Sequence, residues 1–330
     1  MRRDLGRRAL IMTVLAGGVV VTAGSGGGAQ DDDPGRGGPP LAGSPQGAPP
    51  AQRVLNLVAH PDDDLLFLSP DLVNAVRSGA EVRTAYLTAG DAGREPEYWL
   101  ARRSGVRQAY ARMAGVADRW RLVDCGVPAV TSIRLEQAPQ VSLVFFALPD
   151  GGSGTGFGRF HHSSLLQLWR GQQGLITAVD GTADYTLAQL TSAVAQLIEH
   201  ARPQQLRTLN AWGVPGDGDH VDHQVAARIA AAAARTVSAP VSLVAYLGYP
   251  VARRPANVQG PALQVKTSVF GAYAAIDSQV CAGRPFCAGS RYTEWIARQY
   301  LVDPPGQLRS EAIQASMPST VRGSAADRFS

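Results

Sequence analysis

Two strand-like segments each lead into a cluster of histidines and carboxylates, and this pairing restricts the chain more than its composition does. Val54-Leu55-Asn56-Leu57-Val58-Ala59 runs directly into His60-Pro61-Asp62-Asp63. An apolar run of this length reads as a strand buried on both faces. Leu206 to Trp212 is a second strand, and after it comes His220-Val221-Asp222-His223. That motif precedes Gln224 to Val237, an alanine-rich segment of strong helix propensity. Of the six histidines in the chain, three fall in these two clusters, which ties both clusters to one chemistry.

Strand-like and helix-like patterns alternate along the rest of the chain. Helices are expected over Leu65 to Ser78, with Pro70 opening a new first turn, and over Glu97 to Ala114. Further strands are expected over Val82 to Leu87, Arg121 to Cys125, Val141 to Leu148 and Val241 to Leu247. Thr186-Leu187-Ala188-Gln189 is a capping box that opens a helix running to about His200. Shorter helices fit Thr267 to Ile276 and Tyr292 to Tyr300. This alternation predicts an α/β fold, a Rossmann-like, mostly parallel sheet with helices on both faces. Ligands of such sheets bind beyond the carboxyl ends of the strands, where both clusters stand. The glycine-rich stretch Asp150 to His162 reads either as plain surface loop or as a lid.

The chain divides into three parts. Arg2, Arg3, Arg7 and Arg8 precede the apolar Ala9 to Ala23, which glycines interrupt and which is too short for a membrane span. Residues 1–29 are expected to be a signal peptide, so the protein is expected to be secreted or extracytoplasmic. Gly6-Arg7-Arg8-Ala9-Leu10-Ile11 resembles a twin-arginine signal, with ordinary secretion as the alternative. Residues 30–52 are acidic and then Pro/Gly-rich, which predicts a disordered linker. Residues 53–330 remain for one well-buried domain. The net charge is +4, but the arginines are scattered and form no stripe interleaved with aromatics, so nucleic acid is not an expected partner. Cys281 and Cys287 bracket a turn-forming loop and are expected to be bonded, whereas Cys125 sits in an apolar segment as a buried thiol.

His60 and Asp63, three apart on a turn, can face one point, and His220 and His223, three apart at a helix start, share a face. Two imidazoles and a carboxylate hold a catalytic zinc and leave a position open for water. His60, Asp63 and His223 form such a set, which other divalent metals can also occupy. Asp62 then stands beside the activated water as general base. His220 is placed to stabilise the oxyanion and protonate the leaving nitrogen, and Asp222 to orient His220.

Val58-Ala59-His60-Pro61-Asp62-Asp63 with His220-Val221-Asp222-His223 resembles the PIG-L, or LmbE-like, zinc-dependent de-N-acetylases, over Arg53 to about Gln279. The resemblance implies His60, Asp63 and His223 as zinc ligands, Asp62 as base and His220 as acid. It also implies substrate contacts from Asp91, in Leu87-Thr88-Ala89-Gly90-Asp91-Ala92-Gly93, from Arg102, and from Lys266, which precedes Asp277-Ser278-Gln279. Two positions depart from the family pattern: Asp64 and Arg103 stand where the family tends to have Glu. The expected activity is removal of an acetyl group from an N-acetylglucosamine-containing glycan or glycoconjugate. A carbohydrate-binding protein without turnover is the alternative on the same fold. A nucleotide-binding Rossmann protein is disfavoured, because Ala59-His60-Pro61-Asp62 occupies the place of a Gly-x-Gly-x-x-Gly turn.

Overall fold

The computed structural model describes residues 51–214, 216–281, 287–303 and 307–309. The expected signal peptide lies outside these residues. So do the expected linker, apart from its last two residues, and the end of the expected 53–330 domain. Among the described residues no helix is long and apolar enough to cross a membrane.

One nine-stranded sheet organises the described residues. Its centre is five parallel strands: β1 (Arg53–Val58), β2 (Glu81–Thr88), β5 (Val141–Leu148), β8 (Gln205–Leu209) and β9 (Ser242–Tyr246). The strands β3 (Trp120–Leu122) and β4 (Thr131–Leu135) extend one edge antiparallel beyond β5. At the other edge β10 (Leu301–Asp303) and β11 (Gln307–Arg309) pair antiparallel beyond β9. The α/β class and parallel centre match the expectation. The antiparallel edges were not expected.

Side chains of each strand go alternately to the two faces. Val58, Val82 and Tyr86 meet the helices α1 (Asp63–Phe67), α2 (Asp71–Arg77), α3 (Pro96–Ala114), α7 (Gly260–Ala274) and α8 (Arg291–Ile296). Leu55, Leu57, Ala85 and Leu87 meet α4 (Leu165–Trp169), α5 (Leu187–Ala201) and α6 (Val221–Ala234). A small ribbon, β6 (Ile176–Thr177) with β7 (Asp184–Tyr185), lies apart from the main sheet. Burial on both faces is why the central strands read as unbroken apolar runs.

The strand order runs β9-β8-β1-β2-β5. From β1 the chain therefore builds outwards through β2 and β5, and later returns to add β8 and β9 on the other side. The crevice beyond the carboxyl ends of β1 and β8 is the switch point where such sheets bind ligands. His60-Pro61-Asp62 leaves β1 there, and the loop after β8 brings in His220 as the N-cap of α6.

Some helix bounds differ from expectation. Helix α6 starts at Val221, inside the second motif, because His220 caps it: the imidazole Nδ1 accepts from the Asp222 amide at 3.2 Å. The segment Leu65 to Ser78 is two helices, the second starting after Pro70, where a new first turn was expected. Helix α7 begins at Gly260, seven residues earlier than expected, with proline in its first turn. The expected helix over Tyr292 to Tyr300 ends at Ile296, because the Tyr300 carbonyl accepts from Leu247 and the Gln299 amide donates to Asn257.

Candidate active site

The ligand set expected from the sequence converges in space. Asp63, first residue of α1, lies between two imidazoles. Its Oδ2 is 3.3 Å from His60 Nδ1 and its Oδ1 is 3.0 Å from His223 Nε2. The His60 amide also donates to Asp63 Oδ2 at 2.7 Å, which closes the turn after β1 around the carboxylate. The three imidazoles of His60, His220 and His223 have centroids 4.5 to 5.4 Å apart. His60, Asp63 and His223 are all buried.

A carboxylate absent from the sequence reading fixes His223. Asp219 Oδ1 is 2.7 Å from His223 Nδ1 and also accepts from the amides of His220 at 2.9 Å and Tyr249 at 3.0 Å. With Nδ1 held by a carboxylate, Nε2 is the nitrogen directed at Asp63. Among the described residues this buried Nε2 makes no hydrogen bond of good geometry, and its 3.0 Å approach to Asp63 Oδ1 is an ion-pair contact. A ring braced by a carboxylate on one nitrogen and unsatisfied on the other is arranged as metal-binding histidines are. The donor set of two imidazoles and a carboxylate suits zinc or another divalent ion, so the residues present fit a metal.

The electrostatics agree. Burial works against charge on His223, but Asp63 and Asp219 outweigh it and push the imidazole up to about 10. Burial likewise opposes charge on His60, yet Asp63, Asp222 and Asp150 hold it well above its ordinary value. Burial would raise Asp63, but His223 and His60 keep it well below the usual carboxylate range. The cluster draws positive charge, either as protons on its histidines or as a divalent ion in their place.

Asp62 has a different environment. Arg102 Nη2 donates to its Oδ1 at 2.7 Å, while its other oxygen accepts no hydrogen bond from the described residues. Burial raises its carboxyl to about 7 against the opposing charge of Arg102. A base does most near the operating pH, and Asp62 has the features of one, held by one oxygen with the other left available.

His220 is half-buried and is pushed down to about 4, first by burial and then by the charge of His60. Its Nδ1 accepts the Asp222 amide, so the neutral ring carries its proton on Nε2. That proton points to a donor role at neutral pH. The Asp222 carboxylate does not orient His220 as expected, since it lies 3.8 Å from Nδ1. Its Oδ2 instead accepts from the Gly151 amide at 2.7 Å and lies 3.4 Å from His60 Nε2. A Cβ on Gly151 would come within 2.5 Å of Asp222 Oδ1, so glycine is what lets this loop close on the carboxylate.

Two of the expected substrate contacts are structural instead. Asp91 is fully buried, and its two oxygens accept from the amides of Asp150 and Gly93 at 2.7 and 2.8 Å. It joins the loops after β2 and β5, and its full burial closes it to a solute. Lys266 is 1% exposed and donates to the carbonyls of Arg298 and Trp295 at 2.8 and 3.4 Å. No hydrogen bond or ion pair joins it to the histidine cluster. Arg102 does reach the site, but its guanidinium is held by Tyr273, the Gly90 carbonyl and Asp62. Its place is behind Asp62. Asp64, the departure from the family pattern, faces away from the cluster and accepts from Tyr110 and Tyr86 at 2.7 and 3.1 Å.

Three site residues were missed. Asp219 stands four residues before His223, and an acid so close to a candidate ligand was the available signal. Asp150 follows the apolar run of β5 and brings Oδ1 to 3.8 Å from His220 Nε2 and 4.0 Å from His60 Nε2. It repeats the pattern of an apolar strand followed by an acid, but the glycines after it made it read as loop. Tyr249, whose ring lies 4.9 Å from that of His223, carries no signal in the sequence.

Comparison with known proteins adds a family. Residues 55–234, more than half of the chain, match the model of the PIG-L family, described as GlcNAc-PI de-N-acetylase. No curated protein matches. Among solved structures, the conserved protein TT1542 from Thermus thermophilus is 18% identical, with a TM-score of 0.38 over 67% of this chain and 78% of that one. The zinc-inhibited form of teicoplanin deacetylase Orf2 is 16% identical, with a TM-score of 0.40 over 70% and 86%. GalB, the 4-carboxy-2-hydroxymuconate hydratase of Pseudomonas putida KT2440, is 14% identical, with a TM-score of 0.37 over 74% and 81%.

Proposed function

Because the chain belongs to the GlcNAc-PI de-N-acetylase (PIG-L) family, we propose that it is a metal-dependent N-deacetylase. It removes an acetyl group from an N-acetylglucosamine-containing glycan or glycoconjugate outside the cytoplasm. The observation that carries this reading is Asp63 lying between His60 and His223, with Asp62 and His220 beside them. Zinc is the metal proposed. Held by His60, Asp63 and His223, it supplies Lewis acidity to the amide carbonyl and to water.

The chain's own groups move the protons. Asp62 takes a proton from the water whose oxygen attacks the acetyl carbon, and Arg102 keeps one of its oxygens fixed while it does so. His220 Nε2 donates to the carbonyl oxygen as negative charge develops there. When the carbon–nitrogen bond breaks, His220 Nε2 gives its proton to the nitrogen, Asp62 releases the proton it took from water, and acetate and a free amine leave. His60 and His223 keep their orientation through Asp222 and Asp219. Export rests on the basic-then-apolar start of the chain. A bond between Cys281 and Cys287 supports it, since such bonds persist in oxidising compartments.

The test is acetate release by the zinc-loaded protein from N-acetylglucosamine oligomers, peptidoglycan fragments and N-acetylated glycolipids. Release from at least one of these, abolished by His223→Ala, is the expected result. No release from any of them, at full metal occupancy, contradicts the reading.

A further inference from the structure

The segment beyond the family match builds a wall against the histidine cluster. Tyr249 is stacked on Trp295, with centroids 4.5 Å apart and planes 7° from parallel. Its ring also meets His223 at 4.9 Å and His220 at 6.3 Å. Tyr292 stands edge-on to Trp295 at 5.2 Å. With Gln279, Cys281 and Arg291 these rings line an open cavity of about 460 Å³, within the range of small-ligand sites. The cavity shares Tyr249 with the catalytic cluster. Gln279 ties it to the loop after β2, because its Oε1 accepts from Arg94 at 2.8 Å.

We propose that this cavity receives the part of the substrate adjoining the acetamide, and that Arg291 selects substrates carrying an anionic group there, a carboxylate or a phosphate. The proposal rests on the deacetylase reading and adds the substrate class. Tyr292, partly exposed, offers a ring to the C–H face of a sugar, and Gln279 offers a polar edge. The Arg291 guanidinium is exposed and lies 5.9 Å from the centroid of Trp295. No carboxylate among the described residues comes within ion-pair distance of it, and Glu294, three residues on in the same helix, does not pair with it either. A planar guanidinium of this kind matches a carboxylate or phosphate through two parallel hydrogen bonds.

The wall is also braced. Cys281 and Cys287 are bonded, with Cα atoms 4.4 Å apart, which links the Gln279 segment to the start of α8. Lys266 secures the other end of α8 through the carbonyls of Trp295 and Arg298. A site held in place beforehand loses less freedom on binding. This gives the buried lysine and the cysteine pair one shared purpose.

The experiment uses the full zinc-loaded chain with N-acetylglucosamine, N-acetylmuramic acid and N-acetylglucosamine 1-phosphate as probes. Calorimetry gives Kd, and acetate release gives kcat and KM. Wild type is expected to bind at least one anionic probe about tenfold more tightly than the neutral one. Arg291→Gln should abolish that preference, raising Kd and KM for the anionic probe about tenfold with kcat and the neutral probe unchanged, and Arg291→Lys should restore part of it. Whichever anion loses more identifies the natural group. Equal affinity of wild type for all three probes overturns the proposal, as does an equal loss for neutral and anionic probes in Arg291→Gln. Acetate release without anion preference removes the subsite and leaves the deacetylase. Anion preference without acetate release removes the deacetylase and leaves a binding site.

Discussion

Replacing Asp219 by asparagine isolates what its carboxylate contributes behind His223, a proposed metal ligand. In the wild-type protein Asp219 Oδ1 accepts from His223 Nδ1 at 2.7 Å and from two backbone amides at 2.9 and 3.0 Å, with its side chain 2% exposed. Asparagine keeps an oxygen for those donors, so the loop and the α6 start should survive. It removes the charge, and a charge-assisted hydrogen bond exceeds a neutral one by about 1–2 kcal/mol. The zinc dissociation constant is therefore expected to rise roughly 5- to 30-fold, within the reach of such partners elsewhere. Competition against a chelator of known affinity measures this, and thermal unfolding of the metal-stripped protein checks the fold. Asp219→Ala should instead unfold or aggregate, because three buried donors lose their acceptor at about 1–3 kcal/mol each. A zinc affinity for Asp219→Asn within twofold of wild type would show that His223 is not oriented for a metal by this carboxylate.

Two further outcomes follow from groups outside the cluster. Burial pushes Lys266 down to about 7. The unfolded chain, with its ordinary value near 10.5, therefore binds more protons between those limits, and stability should rise with pH across that window. The gap corresponds to roughly 5 kcal/mol at most, and Lys266→Met should flatten the rise in denaturant titrations at pH 7, 8.5 and 10; an unchanged slope would place the ammonium in contact with water. The Cys281–Cys287 bond closes a loop with a sequence separation of 6, and converting both cysteines to serine should lower stability by about 2 kcal/mol. Calorimetry should show a fall in Tm of roughly 4–8 °C for a domain of this size, and no change would mean that the bond constrains nothing.

The centre of the sheet is legible in the sequence because strands buried on both faces show as unbroken apolar runs. Val141 to Leu148 is buried at every position, and expectation and structure agree there to the residue. The motifs are legible for a related reason: the first stands at the end of such a run and the second follows β8, and sheets of this kind bind ligands beyond the carboxyl ends of their strands. Edge strands are less so. Thr131–Leu135 is short and half-polar, as an edge allows, and nothing local separates it from a loop.

The residues around the cluster were hidden because their partners are distant in the chain. Arg102 bonds to Tyr273 across 171 residues and to Asp62 across 40, so its helical context says only that it is an arginine on a helix. Gly105, one turn on in α3, has the Tyr273 ring where its Cβ would be, at 2.7 Å, and this close packing is equally invisible in one sequence. Asp91 and Lys266 show the reverse failure. Both are polar residues in segments with a familiar pattern, and the structure gives their donors and acceptors to the backbone. A buried polar group must be satisfied, and satisfying the backbone is a common reason for having one.

Metal content measured alongside acetate release, on Asp62→Asn, Asp63→Asn and His223→Ala, tests the division between ligands and proton carriers most directly. Asp62→Asn should keep its zinc while its rate falls by roughly 10²-fold or more. Asp63→Asn and His223→Ala should lose both metal and activity, because each removes a proposed donor from the set in which Asp63 lies between His60 and His223. An empty site in Asp62→Asn together with a full one in Asp63→Asn would reverse the assignment. Wild-type activity in all three variants would place the reaction elsewhere in the molecule.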